Sequence, residues 1–302
     1  LARAAALLRD HPLLTPLLVV YAAVLVLGGI AEFGPLLGVI DLILLASYIA
    51  VIHFATRGRQ LAMTAADQPN RRSSDVGLAV TVAVLQFAAA SVVWFVILPA
   101  HYFPASNEYL RSAGLPPLVA AKAATAALAV PLLLLPTLIA MAVFRVSPRD
   151  VGLTATPPDV VLGIVLAAIA VGLGVGAVAA GNHPGLMWQS APLPTVTAAI
   201  VLQSLINGVP EELAFRGVIF GRLMAWLGRP GNNLAVSTML FGLYHVPSLV
   251  AGSHVPLWEA LAVALFGGLQ GLVFGYLFYR TRSIWPGAIW HTSITGVGVM
   301  FA

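Results

Sequence analysis

The chain has 302 residues, 60% hydrophobic and 9% charged, with a mean hydropathy of +0.95. Soluble domains carry about 25% charged residues, so the composition excludes a soluble globular protein and points to a multi-pass membrane protein. Without cysteine there is no disulfide framework and no thiolate nucleophile or ligand. Any chemistry must use carboxylates, imidazoles, hydroxyls or a metal held by N and O donors.

A span needs about 20 mostly apolar residues. That length predicts nine: 13–31, 35–56, 76–98, 118–144, 159–181, 194–220, 232–247, 258–279 and 284–302. The first follows Arg3 and Arg9 as a signal peptide would, but it is long enough to span and no small-residue cleavage site follows, so it reads as a transmembrane helix. Turn-forming breaks such as Gly34-Pro35, Pro116-Pro117, Pro157-Pro158 and Arg229-Pro230-Gly231 separate the runs. The net charge of +4 does not indicate nucleic acid, because the basic residues fall in short loops. With the N-terminus inside, twelve of the fifteen lie in cytoplasmic segments; Arg111 and Lys122 lie on the outer side and Arg216 within a span. The expectation is an all-α, polytopic membrane helix bundle of about nine transmembrane helices. Its N-terminus is cytoplasmic, and the arginine-, alanine- and leucine-rich composition suggests a bacterial inner membrane. The polar linker 145–158 divides a four-helix region, 1–150, from a C-terminal membrane domain, 151–302, that holds nearly every intramembrane polar group.

Of eleven acidic residues, only Asp41, Glu211 and Glu212 lie well inside predicted spans. A carboxylate in hydrocarbon costs about 2.5–3.5 kcal/mol even on the lenient insertion scale, so an adjacent pair points to function. The histidines well inside spans are His245 and His291, with His53 near the end of the second. At about 1.5 Å per helical residue, Glu211, His245 and His291 all fall roughly 10–20 Å from the cytoplasmic ends of their helices, depths at which they could meet.

Glu212 and Arg216, four apart, share a helix face in the favoured order. This predicts an ion pair that keeps Glu212 ionised and orients Glu211 as general base toward a water, with His245 as second group. Phe241, one turn before His245, would wall that imidazole from lipid. His291, followed by Thr292, Ser293 and Thr295, offers an imidazole and a hydroxyl one turn later to hold a developing oxyanion, although hydroxyls in membrane helices also bond their own carbonyls. Two imidazoles and a carboxylate are equally a zinc set. Glu211, His245 and His291 are therefore candidate metal ligands, and the cofactor stands between none and zinc; the H-E-x-x-H helix is absent. Serine chemistry has no G-x-S-x-G, and Asp41 has no assigned role.

In this order, Glu211-Glu212-x-x-x-Arg216 with Phe215-Arg216-Gly217, Phe241-x-x-x-His245, and His291 with the residue four later resemble the three motifs of the CAAX protease and bacteriocin-processing (CPBP) family of intramembrane endopeptidases. The stretch Gly271 to Trp285, with Tyr276, Arg280-Thr281-Arg282 and Ile284-Trp285-Pro286, is similar to the segment leading into its last histidine. The resemblance covers roughly residues 195–302. It implies a helix bundle around a cavity in which Glu211 and His245 activate water and His291 with its partner stabilises the oxyanion. It also implies a membrane-associated peptide or protein as substrate, a lipid bilayer as surroundings and no nucleic-acid partner. Family members have been argued both as zinc enzymes and as glutamate proteases. The third motif usually ends in Asn or Asp, where this chain has Thr295. That departure keeps two alternatives in view: a catalytically weak or inactive membrane scaffold or immunity protein, and a proton-coupled transporter, since buried Glu and His also build proton relays.

Overall fold

A computed structural model describes residues 12–19, 35–58, 72–99, 102–179 and 192–301. Most of the predicted span 13–31, the side chain of Asp41 and most of the linker 57–75 lie outside the described residues. Among the described residues the fold is all-α. We number its main helices α1, Pro35–Ala55; α2, Arg72–Val92, extended by the π-helical turn Val93–Ile97; α3, Tyr102–Ser112; and α4, Pro117–Val143. They continue with α5, Pro157–Ala179; α6, residues 193–227; α7, Pro230–Tyr244; α8, Leu257–Thr281; and α9, Trp285–Phe301.

Six helical stretches among the described residues are long and apolar enough to cross a membrane, in α2, α4, α5, α6, α7 with its continuation to Gly252, and α8. They coincide with predicted spans three to eight. Among the described residues, then, six of the nine expected spans have spanning length; the final helix has 17 residues, and the described apolar part of α1 is Ile43–Ala55. Large apolar side chains such as Val84, Ile139 and Val161 point outward from these helices, as a multi-pass membrane protein requires of the faces that meet lipid.

One helix is new. α3 falls in what the sequence reads as a loop, because its 11 residues mix tyrosine, phenylalanine and leucine with Asn107, Glu108 and Arg111. Its apolar run is too short to register as a span.

The chain divides into two compact units, each drawing on sequence from both sides of residue 150. The first comprises residues 1–90 and 215–282. In it α7 lies along α8, and small residues set the spacing: a Cβ at Gly242 would run into the Ala264 carbonyl, and one at Gly275 would stand 2.9 Å from Leu234 Cδ2. Close helix approach through small residues is how membrane helices gain packing contacts where lipid already solvates apolar side chains. Arg222 pairs with Asp75 at 3.3 Å, both buried. Arg280 donates to the Thr56 carbonyl at 2.8 Å, and His53 Nδ1 bonds the Tyr276 hydroxyl at 3.0 Å, which ties the end of α8 to the end of α1.

The second unit comprises residues 91–214 and 283–302. In α4 the π-helical turn Val130–Leu134 contains Pro131, whose missing N–H cannot bond the carbonyl four residues back; a wider turn accommodates it. α5 runs along α9, and the start of α9 is pinned to the turn that precedes α5. Ile284 N donates to the Gly152 carbonyl at 3.0 Å, and the Trp285 indole N–H donates to the Leu153 carbonyl at 2.8 Å. Gly163 is where α5 and α9 touch, since a Cβ there would lie 2.9 Å from Pro286 Cα and 3.1 Å from Ile289 Cβ. Backbone on one side and a β-branched residue on the other cannot yield cheaply. Gly163→Ala is therefore expected to cost about 1–3 kcal/mol by overpacking, read as a lower unfolding midpoint in detergent.

Candidate active site

In the second unit α6 brings its polar residues past a helix irregularity. Ser204–Gly208 forms a π-helical turn, and Pro210 follows at the start of the short α-helical stretch Val209–Glu211. A proline inside a helix removes one hydrogen bond, and π-turns collect at functional sites. Directly after it come Glu211 and Glu212, 5% and 1% exposed.

α9 presents His291, itself 5% exposed, to this pair. His291 Nδ1 lies 3.1 Å from Glu212 Oε1 and Nε2 lies 3.7 Å from Glu211 Oε2. A carboxylate accepts only, so Nδ1–H is the donor to Glu212 and Nε2 is the nitrogen turned to Glu211. Glu211 Oε2 is buried and accepts no hydrogen bond among the described residues. One imidazole thus sits between two carboxylates, oriented by Glu212 and open to chemistry on the Glu211 side.

Two glycines permit this approach, and the sequence reading missed both. A Cβ at Gly287, one turn before His291, would stand 2.7 Å from Glu212 Oε2. A Cβ at Gly208 would run into Thr292 Oγ1 and stand 2.9 Å from the Ala288 carbonyl. Small residues inside apolar runs were the available signal, but their partners come from distant parts of the chain.

The hydroxyls of α9 turn back onto their own helix. Thr295 Oγ1 donates to the His291 carbonyl at 3.0 Å, with Thr292 O at 3.3 Å. Thr292 donates to Ala288 O at 2.7 Å and Ser293 to Trp290 O at 2.6 Å. On another flank of α9 an apolar cleft of about 360 Å³ opens between α5, α6 and α9, lined by Val171, Ile200, Val201, Trp285, Ile289 and Thr292 among others.

Arg216 and His245 belong to the first unit. The Arg216 guanidinium lies over the Phe241 ring at 4.0 Å and faces Phe274 at 5.0 Å, stacking that moderates the cost of burying the cation. His245 follows the last residue of α7. Its Nδ1–H donates to the Phe241 carbonyl at 2.8 Å, and its ring meets the edges of Phe241 and Tyr244 at 4.9 and 5.0 Å. Phe241 therefore both covers and orients this imidazole, leaving Nε2 as its remaining polar atom.

Among the described residues, no group of three or more His, Asp or Glu side chains is arranged to hold a metal ion. The candidate zinc set of Glu211, His245 and His291 is divided between the two units, and within the second unit Nδ1 of His291 is bonded to Glu212, which leaves Nε2 as its other donor atom. No metal-dependent step is derived from these residues.

No curated protein and no solved structure matches the chain. A family model does, over residues 193–297: the one described as Type II CAAX prenyl endopeptidase Rce1-like. The matched segment begins at the N-terminus of α6 and ends within α9, and so contains both glutamates, Arg216, His245, His291 and Thr295. It supports the CAAX-protease resemblance that the three motifs carry, over the third of the chain that holds them.

Proposed function

We propose that the protein is an intramembrane endopeptidase that hydrolyses a peptide bond in a membrane-associated peptide or protein. The observation that carries this reading is the buried Glu211–His291–Glu212 cluster in the segment that matches the endopeptidase family. Glu211, the carboxylate with an unoccupied acceptor position, takes the proton of the attacking water as general base. Glu212 holds His291 by its Nδ1–H, which fixes the ring orientation and leaves Nε2 at the reacting centre, the role a carboxylate plays behind a catalytic imidazole. When Glu211 passes that proton on to His291 Nε2, the resulting imidazolium is stabilised by both carboxylates and can donate to the developing oxyanion or to the leaving amine. His245 enters through its place in the second motif, with Nε2 as the atom available to act. The apolar cleft beside α9 suits a hydrophobic stretch of substrate reaching the site from within the bilayer.

The bent-back hydroxyl of Thr295 favours the second reading, a binding scaffold on the same fold. One substitution separates the two. Purified protein in proteoliposomes, given an internally quenched, farnesylated CAAX-type peptide and a detergent extract of host membrane proteins, is expected to generate new termini detectable by mass spectrometry. Glu211→Ala should reduce their formation by at least about 10²-fold without changing the thermal unfolding midpoint. Cleavage by Glu211→Ala at the wild-type rate would exclude Glu211 as base, and wild-type protein that generates no new termini would leave the scaffold.

Gly287 tests the cluster without touching an ionisable group. Gly287→Ala pushes on Glu212 Oε2, and a misplacement of about 1 Å costs on the order of 10²-fold in rate. We expect kcat to fall by that order with KM little changed. Unaltered kcat would mean that the Glu212–His291 geometry does not govern the reaction.

A further inference from the structure

A polar line on α6 leads into the candidate site. Gln203, Asn207 and Glu211 are spaced by four residues, and side chains so placed on a helix are neighbours with Cβ atoms about 5–6 Å apart. Gln203 is 5% exposed, and its Nε2 donates to Asn207 Oδ1 at 2.7 Å. Gln203 Oε1 is buried with no partner among the described residues. Carboxamides inside a membrane span are costly and tend to be functional, and this pair is not part of the Glu211–His291–Glu212 cluster.

The bond fixes what each amide presents. Flipping both groups would leave the Gln203 amide NH₂ orphaned in the buried position instead of its carbonyl, and buried orphan N–H groups are rarer than orphan C=O groups. Gln203 is therefore the donor and Asn207 Oδ1 the acceptor. Asn207 Nδ2, the other end of the same planar group, then points away from Gln203. Asn207 is half-buried, and among the described residues Nδ2 has no protein partner. Gly208, the next residue, is the point where α9 closes on α6 through Thr292 and Ala288, so this free donor flanks the helix contact that also delivers His291.

Hydrolysis of a peptide bond needs hydrogen-bond donors aimed where the carbonyl oxygen becomes negative. Thr295 spends its only hydroxyl proton on its own helix. We propose that Asn207, held by Gln203, supplies the carboxamide N–H donor to the oxyanion in this protein, with Gln203 as its positioning residue. This inference rests on the endopeptidase reading. Water adds to the scissile carbonyl while Glu211 takes its proton, negative charge collects on the carbonyl oxygen and is bound by Asn207 Nδ2–H, and collapse breaks the C–N bond and expels the amine, which takes up the proton first removed by Glu211.

The test uses the full-length protein in proteoliposomes with the quenched farnesylated peptide. Asn207→Leu, close in volume, is expected to lower kcat by about 10²–10³-fold, the usual effect of removing one oxyanion donor, with KM unchanged. Gln203→Leu, which leaves Asn207 present but unanchored, should lower kcat by a smaller factor. The decisive arm is Asn207→Leu combined with Thr295→Asn: a carboxamide restored on α9 should recover kcat at least about tenfold, which a purely structural role for Asn207 would not allow. Thermal unfolding checks folding, and Asn207→Ser is the substitute should Asn207→Leu fail to fold. Glu211-dependent cleavage with full kcat in the Asn207 variant overturns the donor role alone. Loss that appears only as lowered unfolding temperature, or that Thr295→Asn does not rescue, overturns it as well. Absence of any Glu211-dependent cleavage by wild-type protein overturns the endopeptidase reading and this inference with it.

Discussion

The hydrogen bond from His291 Nδ1 to Glu212 Oε1 is the interaction on which the second unit is organised. Two adjacent carboxylates inside an apolar helix cost about 2.5–3.5 kcal/mol each on the lenient scale. A hydrogen bond to a charged group returns about 1.5–3 kcal/mol, so one bond from the imidazole offsets roughly one carboxylate. Glu212 takes that bond. Glu211, 3.7 Å from the same ring and with a bare buried oxygen, is left with the larger share of the cost. A buried carboxylate oxygen left without a hydrogen bond is a place where the fold gives up stability for reactivity. One source of the asymmetry between the neighbouring glutamates is that one imidazole has two nitrogens at different distances from them.

Much of the rest of this unit serves to put that ring in place. The start of α9 is fixed by the backbone and indole bonds to the Gly152–Leu153 turn. Its flank is fixed against α5 at Gly163, and its approach to α6 is set by Gly208 and Gly287. His291 lies six residues into the helix, about 9 Å along the axis, so its position follows from constraints at the helix start and at two contact points. Supports of this kind hold a reacting group still without relying on its own hydrogen bonds.

The spans were legible in the sequence because length and hydropathy are local properties. Spans three to eight appear as helices at nearly the positions that composition alone assigns. α3 was not legible, since 11 mixed residues satisfy neither the span length nor a strong apolar run. The π-helical turns at Val130–Leu134 and Ser204–Gly208 were not read from the sequence, because a proline such as Pro131 or Pro210 signals a missing hydrogen bond but not the wider turn that accommodates it. The identity of the site residues was legible, because charge in hydrocarbon is conspicuous. Their partnerships were only partly so: spacing gives Glu212 a neighbour four residues on in Arg216, but it cannot give the bond to His291, which joins residues 79 apart in sequence. Gly208 and Gly287 were invisible for the same reason, because a glycine shows what it accommodates only when the other helix is in place.

Thr295 shows what a motif position can and cannot carry. By sequence it occupies the place of a donor in the third motif, and its hydroxyl does donate, but to the carbonyl of His291 one turn back. In a helix this is the default for threonine, whose short side chain reaches the backbone before it reaches anything else. Asparagine at 207 differs because a carboxamide has two ends: one can be spent on an anchor, here Gln203, while the other stays available. A donor inventory drawn from side-chain chemistry and existing partners therefore ranks the two residues in the opposite order from one drawn from motif position. In a low-dielectric site, where an extra donor is worth far more than in water, the inventory is the stronger guide to which residue meets the oxyanion.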